Sequence, residues 1–230
     1  MSVDDLDLIL KKDPIINTFP VSELEAKPER VEQDYLTHAK THLSLGDTEK
    51  HADTIFKWVS GQNKGTFIGA FEGNYGEGKT SFLVHVWAKS TERKIFTVPP
   101  FRWASLADAL EAAAAWLRYI LRSADPLLGK KAERLHEEFR RKSLEETAGE
   151  TAAQTGGDYE TILATLRYQV EQGIRVTEVT PERFLNYCAR ATEIVQESGY
   201  LGFLVLLESQ RLRQRRRESR RPHKIGRAHV

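Results

Sequence analysis

The sequence predicts an α/β fold in which a parallel sheet is flanked by helices. Short apolar runs rich in β-branched and aromatic residues occur at Thr66–Phe71, Lys94–Val98 and Leu201–Leu207, and such runs are typical of buried strands. Stretches with helical spacing of apolar residues separate them. Strands that alternate with helices form parallel sheets covered on both faces. The wholly apolar third run suits a central strand, and the prolines at 99 and 100 are expected to end the second.

The segment before the first predicted strand carries weaker signals. Residues 1–30 are polar and interrupted by prolines, so we expect an extended or loosely packed arm. Asp34–Leu45 is compatible with a short helix, and residues 1–45 form the first predicted unit. Apolar residues at helical spacing predict a second helix over Thr48–Ser60, which opens the predicted α/β core of residues 46–210.

A large helical insertion is predicted at about residues 104–198, between the second and third strands. Ser105 is a suitable N-cap for a helix over Ser105–Arg122. Residues 126–148 are highly charged and helical in pattern, whereas residues 147–158 are small and polar and are expected to form a linker or mobile loop. Further helices are predicted over Tyr159–Gln172 and, after a Thr-Pro start, over 181–198 with Gly199 as C-cap.

A glycine-rich loop at Gly73–Thr80 matches G-x-x-x-x-G-K-[ST] at every fixed position. Glycines let the backbone approach phosphate oxygens, and successive N–H groups form an anion-binding nest at the positive end of the helix predicted over Lys79–Lys89. Lys79 is expected to reach the β- and γ-phosphates, Thr80 to bind Mg²⁺ and Ser81 to contact the α-phosphate. The predicted ligand is ATP with Mg²⁺, held by Gly73, Asn74, Tyr75, Gly76, Glu77, Gly78, Lys79, Thr80 and Ser81.

The simplest alternative for this loop is a chance glycine-rich turn. Average composition gives this pattern by accident in roughly 1% of chains of this length. The preceding apolar strand and the following amphipathic helix argue for phosphate binding.

An NTPase also needs an acidic residue at the end of a neighbouring strand to hold the Mg²⁺ shell. Glu208 follows the apolar run Leu201–Leu207 and is the candidate catalytic and metal-side acid. Ser209 and Gln210 follow instead of a second acid. The alternative is that Glu208 is the first solvated residue after a core strand.

Other candidate residues favour structural roles. His85 is expected to be a packed or surface residue, since the histidines show no metal-ligand spacing. Arg102 and Trp103 are open to a role near the nucleotide but favour packing. The single cysteine, Cys188, excludes an internal disulfide and is expected to be a small core residue rather than a reactive thiol.

The composition bounds the location and partners of the chain. No run of about 18 apolar residues predicts a membrane span, and the acidic N-terminus lacks a signal-peptide core, so we expect a cytoplasmic protein. The net charge of the chain is +1, which is the sum of +8 for residues 211–230 and −7 for residues 1–210. The basic tail is one reason to consider DNA as a partner.

The tail has a second interpretation. Its last residues, KIGRAHV, resemble the translation of a sequencing adapter, and the arginine-rich stretch before them resembles GC-rich DNA translated in a wrong frame. We favour this interpretation, under which residues 211–230 are artefactual and the natural protein is longer.

The loop and its surroundings, FEGNYGEGKTSFL followed by IFTVPPF, resemble the ATP-binding proteins of bacteriophage-exclusion (BREX) defence systems and related bacterial AAA-like ATPases. The resemblance covers about residues 48–100 and 199–208. It implies that Lys79 binds phosphate, that Thr80 binds magnesium and that Glu208 is the metal-side acid. It also implies that the arginine finger and sensor residues lie beyond residue 210, and it leaves a homo-oligomer or a multi-protein defence complex as the assembly.

Three functions follow from these observations. The first is an AAA-like ATPase that couples hydrolysis to remodelling or assembly, in phage defence or DNA processing. The second is a nucleotide-dependent switch with little turnover that acts through protein partners. The third is a small-molecule kinase, which the long helical insertion disfavours.

Overall fold

The computed structural model describes residues 18–41, 47–61, 78–172, 174 and 178–209. Over these ranges the chain is mixed α/β and mostly helical, with a small three-stranded parallel sheet flanked by helices. The strands are β1 (Phe19–Pro20), β2 (Ile95–Trp103) and β3 (Gly202–Ser209). The helices are α1 (Val21–Ala26), α2 (Pro28–Thr41), α3 (Thr48–Ser60), α4 (Lys79–Glu92), α5 (Leu106–Ala124), α6 (Pro126–Thr155), α7 (Tyr159–Glu171) and α8 (Pro181–Glu197).

The N-terminal segment is packed where it is described, and the expectation of a loose arm is wrong for residues 18–30. Leu24 is fully buried, and β1 pairs in parallel with the end of β2. The Tyr35 hydroxyl accepts a hydrogen bond from the Phe19 amide at 3.2 Å and donates one to the Pro100 carbonyl at 2.6 Å. The prolines suggested breaks, but Pro28 begins α2, a position where a proline costs no backbone hydrogen bond.

Strand β2 continues through its two prolines, so the prediction that they end the strand is wrong. Val98 is opposite Val205, whereas Phe101 is opposite Leu207. One extra residue of β2 is therefore accommodated between these pairs as a bulge. Proline has no N–H to donate to a neighbouring strand, and a bulge is where a sheet tolerates it.

The helices between β2 and β3 agree with the prediction of a helical segment over about 104–198. Ser105 is the N-cap of α5, and its hydroxyl accepts the Asp108 amide. The Asp108 carboxylate in turn accepts the amides of Ala104 and Ser105, each at 2.9 Å. This capping box fixes the direction in which the chain leaves β2.

The predicted linker over residues 147–158 is wrong for most of its length, because α6 continues to Thr155. The hydroxyls of Thr147, Thr151 and Thr155 each donate to the carbonyl four residues earlier at 2.8 Å. These bonds satisfy the polar groups within the helix, so the small polar composition does not interrupt it. Gly156 ends α6 in a left-handed conformation, with φ of 69°.

In the described sheet the order is β1-β2-β3, which makes β2 the middle strand. The predicted strand over Thr66–Phe71 and the turn before it lie outside the described residues. The expectation that β3 is a central strand therefore stays a prediction. The predicted helices over Thr48–Ser60, Lys79–Lys89, Tyr159–Gln172 and 181–198 are confirmed to within a few residues at their ends.

Helix α4 is held in the core by aromatic packing. The ring of Trp87 contacts Tyr35 of α2 at 5.8 Å and Trp116 of α5 at 6.1 Å between centroids, both edge-on. All three residues are almost completely buried, and such pairs add to the stabilisation from burial. The contacts fix α4 between two other helices and against β2.

Among the helices of the described ranges, none combines the length and the apolar composition that a membrane span requires.

Gly202 tests the packing between α3 and β3, and Gly149 in α6 serves as the comparison. A Cβ at Gly202 lies 2.7 Å from Val59 Cγ1 and 3.0 Å from the Val59 carbonyl oxygen, so Gly202→Ala is expected to destabilise the protein by about 1–3 kcal/mol through overpacking. A Cβ at Gly149, within α6, would meet no atom of the described residues within 4 Å, so Gly149→Ala is expected to stabilise the protein by about 0.5–1 kcal/mol. Denaturant unfolding of both variants measures the difference, and equal effects would contradict the close approach at Gly202.

Candidate functional site

The predicted phosphate helix begins at the predicted residue. Gly78 precedes α4 in a left-handed conformation, with φ of 73°, and Lys79 is the first helical residue. At this φ a side chain would be strained, so glycine is favoured here by its backbone conformation. The Phe82 amide donates to the Gly78 carbonyl at 2.8 Å, which closes the first turn. The remaining loop residues, Gly73, Asn74, Tyr75, Gly76 and Glu77, lie outside the described part of the chain.

The start of α4 lies at the carboxyl end of the parallel strands. Only Arg93 and Lys94 separate the end of α4 from the start of β2, and the two elements pack along each other. They therefore run in opposite directions, which brings Lys79, Thr80 and Ser81 to the edge where β2 ends. Ligands of open α/β sheets bind at this edge.

Glu208 lies at the same edge. Strand β3 includes it and pairs it with Arg102, while Ser209 pairs with Trp103. The strand thus extends beyond the predicted end at Leu207. The Glu208 side chain lies outside the part of the chain that the structure describes, so only its position in the strand relates it to α4.

A neighbouring residue that sequence reasoning missed is His38. Its Nε2 lies 3.3 Å from the Ser81 hydroxyl oxygen and links α2 to the first turn of α4. His38 follows the core residue Tyr35 by three positions, which places both on one face of α2. That spacing was the available signal, but nothing in the sequence indicated which helix this face would meet.

Arg102 and Trp103 contribute to packing at this edge. Arg102 Nε donates to the Thr18 carbonyl at 2.6 Å and so attaches β2 to the residue before β1. Trp103 is half-buried against the core, and its indole nitrogen has no hydrogen-bond partner among the described residues. The favoured structural interpretation of Arg102 agrees with its contact.

His85 is a packed residue, as expected. Its Nε2 lies 3.1 Å from one carboxylate oxygen of Glu49, and the other oxygen accepts Lys89 Nζ at 2.7 Å. These contacts attach α3 to α4. Within the described ranges, histidine, cysteine and carboxylate side chains form no group of three or more that could hold a metal ion.

Cys188 lies on α8 and packs against the core, in agreement with the prediction. Burial raises the pKa of its thiol to about 12. The thiol therefore stays protonated at pH 8, and the thiolate is the reactive form.

We expect a disulfide reagent such as Ellman's reagent to label Cys188 slowly at pH 8 in the folded protein. One thiol per chain is expected to react rapidly in denaturant, which serves as the control. Rapid labelling of the folded protein would contradict the burial of this thiol.

Comparison of the chain with protein-family models, with curated proteins and with solved structures finds no match.

Proposed function

We propose that this chain is a P-loop nucleotide-binding protein that holds ATP and Mg²⁺ at the start of α4. The observation that carries the proposal is the left-handed Gly78, followed by a helix that begins at Lys79 at the carboxyl edge of a parallel sheet. The phosphate-loop pattern of residues 73–80 ends at this helix start. The motif and the start of the helix therefore both support phosphate binding at this position.

The start of α4 has the chemistry that a polyphosphate requires. The first amides of any helix lack partners within the helix, and the dipole of a helix as long as α4 makes this end positive. Lys79 adds an ammonium group beside these amides. Phosphate oxygens thus find hydrogen-bond donors and positive charge together.

The residues at this edge fit Mg²⁺, which prefers oxygen ligands. The Thr80 hydroxyl and the Glu208 carboxylate are the oxygen donors that would hold it, together with the phosphates. The ion would neutralise charge on the β- and γ-phosphates. Thr80 and Glu208 belong to different elements, so binding of the ion would depend on the packing of α4 against the sheet that contains β3.

The ends of the described segments also support the proposal. Helix α3 ends beside the start of β3, since Val59 lies against Gly202, whereas α4 begins at the opposite end of the sheet. The described segments on either side of residues 62–77 therefore end and begin at opposite ends of the sheet.

Among ATP-binding proteins, we favour an AAA-like ATPase that couples hydrolysis to remodelling or assembly, with phage defence or DNA processing as its setting. The long helical segment between β2 and β3 favours this class over a small-molecule kinase. A switch with little turnover is the alternative. Phosphate release that DNA stimulates would favour the ATPase, and ATP binding without release would favour the switch.

Lys79→Ala removes the cation assigned to the β- and γ-phosphates. ATP binding is expected to weaken by about 1.5–3 kcal/mol, the range for hydrogen bonds to charged groups. This corresponds to an increase in Kd of about 10- to 150-fold. Calorimetry with ATP and Mg²⁺ measures it.

The matched control for this variant is Lys57→Ala, which removes an exposed lysine of α3. Its Kd is expected to equal that of the parent protein. Equal affinity in Lys79→Ala and the parent would overturn the role of Lys79.

Thr80→Ala and Glu208→Gln remove the two oxygen donors assigned to Mg²⁺. Both are expected to reduce the gain in ATP affinity that Mg²⁺ provides, while binding of ATP in EDTA changes little. Titrations with and without Mg²⁺ measure this difference. If Glu208→Gln kept the full effect of Mg²⁺ while Thr80→Ala lost it, the metal-binding role of Glu208 would be overturned.

A further inference from the structure

A cavity between α6 and α8 lies outside the proposed nucleotide site. Its volume is about 310 Å³, at the lower end of the range for small-molecule sites. Its lining is unusually basic for a chain whose first 210 residues carry a net negative charge. The lining residues are Phe139, Lys142, Ser143, Glu146, Arg183, Asn186 and Arg190.

Two of the cations share one carboxylate. Lys142 Nζ lies 2.8 Å from one oxygen of Glu138, and Arg190 Nη2 lies 2.9 Å from the other. Hydrogen bonds from Arg190 and Lys142 lower the pKa of Glu138 to about 2, so this carboxylate stays ionised at neutral pH. It fixes both cations and neutralises one of them, and Glu193 also acts electrostatically on Arg190.

The third cation is fixed separately. The Arg183 guanidinium forms an ion pair with Glu146 and donates from Nη1 to the Glu178 carbonyl at 3.3 Å. Its side chain is largely buried, at 22% exposure. Arg183 lies in the first turn of α8, where the helix dipole adds positive potential.

One wall of the cavity is a rigid aromatic ring. Tyr187 contacts the Phe139 ring edge-on at 5.3 Å, and the Arg190 guanidinium lies 5.8 Å from the ring centroid. Phe139 is therefore held on two sides and offers apolar surface next to fixed cations. Buried Ser143 and exposed Asn186 add polar groups that can donate and accept hydrogen bonds.

We propose that this cavity binds a small organic phosphate monoester, with the phosphate between Arg183, Arg190 and Lys142 and the organic group against Phe139. Three cations and one carboxylate line the cavity, which favours an anionic ligand, and guanidinium groups match phosphate geometry. The restricted volume favours a small molecule over a peptide. The site shares no residue with the proposed nucleotide site and does not depend on it.

The experiment uses phenyl phosphate as the probe and the full chain carrying Lys79→Ala, so that the phosphate loop contributes little. Saturable binding in the millimolar range or tighter is expected by calorimetry or NMR titration. Inorganic phosphate is expected to bind more weakly, because it gains nothing from Phe139. Absence of saturable binding, or equal affinity for the two probes, would overturn the proposal.

Two further variants locate the binding in the same Lys79→Ala chain. Arg190→Ala removes a cation, and Asn186→Leu keeps the charge but blocks the cavity at an exposed position where folding is not at risk. Each is expected to weaken phenyl phosphate binding by about tenfold or more, the size expected for a charged hydrogen bond.

The matched control is Arg141→Ala, which removes an exposed arginine of α6 that does not line the cavity and is expected to bind as the Lys79→Ala parent does. Unchanged binding in both cavity variants would overturn the assignment. Tighter binding of an acidic peptide than of phenyl phosphate would do so as well. ATP titration of the chain with Lys79 intact tests the nucleotide site separately, so the two proposals fail independently.

Discussion

The position of α4 depends on one buried aromatic contact set. Trp87 lies between Tyr35 and Trp116, and the Tyr35 hydroxyl donates to the Pro100 carbonyl of β2. Three helices and the middle strand of the described sheet therefore meet around one indole ring. Because α4 is rigid along its length, this contact also sets where its first residue lies. The proposed phosphate site is thus positioned by packing that lies two turns away from it.

The hydrogen bond from Tyr35 also helps to explain why β2 tolerates two prolines in the middle of the described sheet. The Pro100 carbonyl has its partner in Tyr35, and the bulge between Val98 and Phe101 keeps the register with β3 beyond the prolines. The strand consequently continues to Trp103, and its pairing with β3 continues beyond the bulge. Without that continuation, Glu208 would have no paired neighbour in β2, since its partner in the ladder is Arg102.

The sequence predicted those features that depend on local chemistry. The N-cap Ser105, the helix over Thr48–Ser60 and the helix start at Lys79 each follow from side-chain or glycine preferences within a few residues. Predictions from the sequence were wrong where contacts beyond the immediate sequence neighbours decide the local structure. Pro99 and Pro100 read as a strand end until Tyr35 and the bulge are known, and residues 147–158 read as a loop until the threonine hydroxyls are seen to bond within α6. His38 was not predictable, because its role depends on the packing of α2 on α4.

The two proposed anion sites differ in their hydrogen-bond donors, and the fold connects them. At α4 the donors are mainly backbone amides, which carry no net charge and favour close contact with phosphate; between α6 and α8 they are charged side chains fixed by carboxylates. Helix α8 leads into β3 through residues 198–201, and this junction is attached to β2. The Leu201 amide donates to the Lys94 carbonyl at 2.7 Å, and Tyr200 contacts Phe96 edge-on at 5.3 Å. A ligand that displaced α8 would therefore act on the strand that carries Glu208, and coupling between the sites requires such a ligand to favour one position of α8 over another.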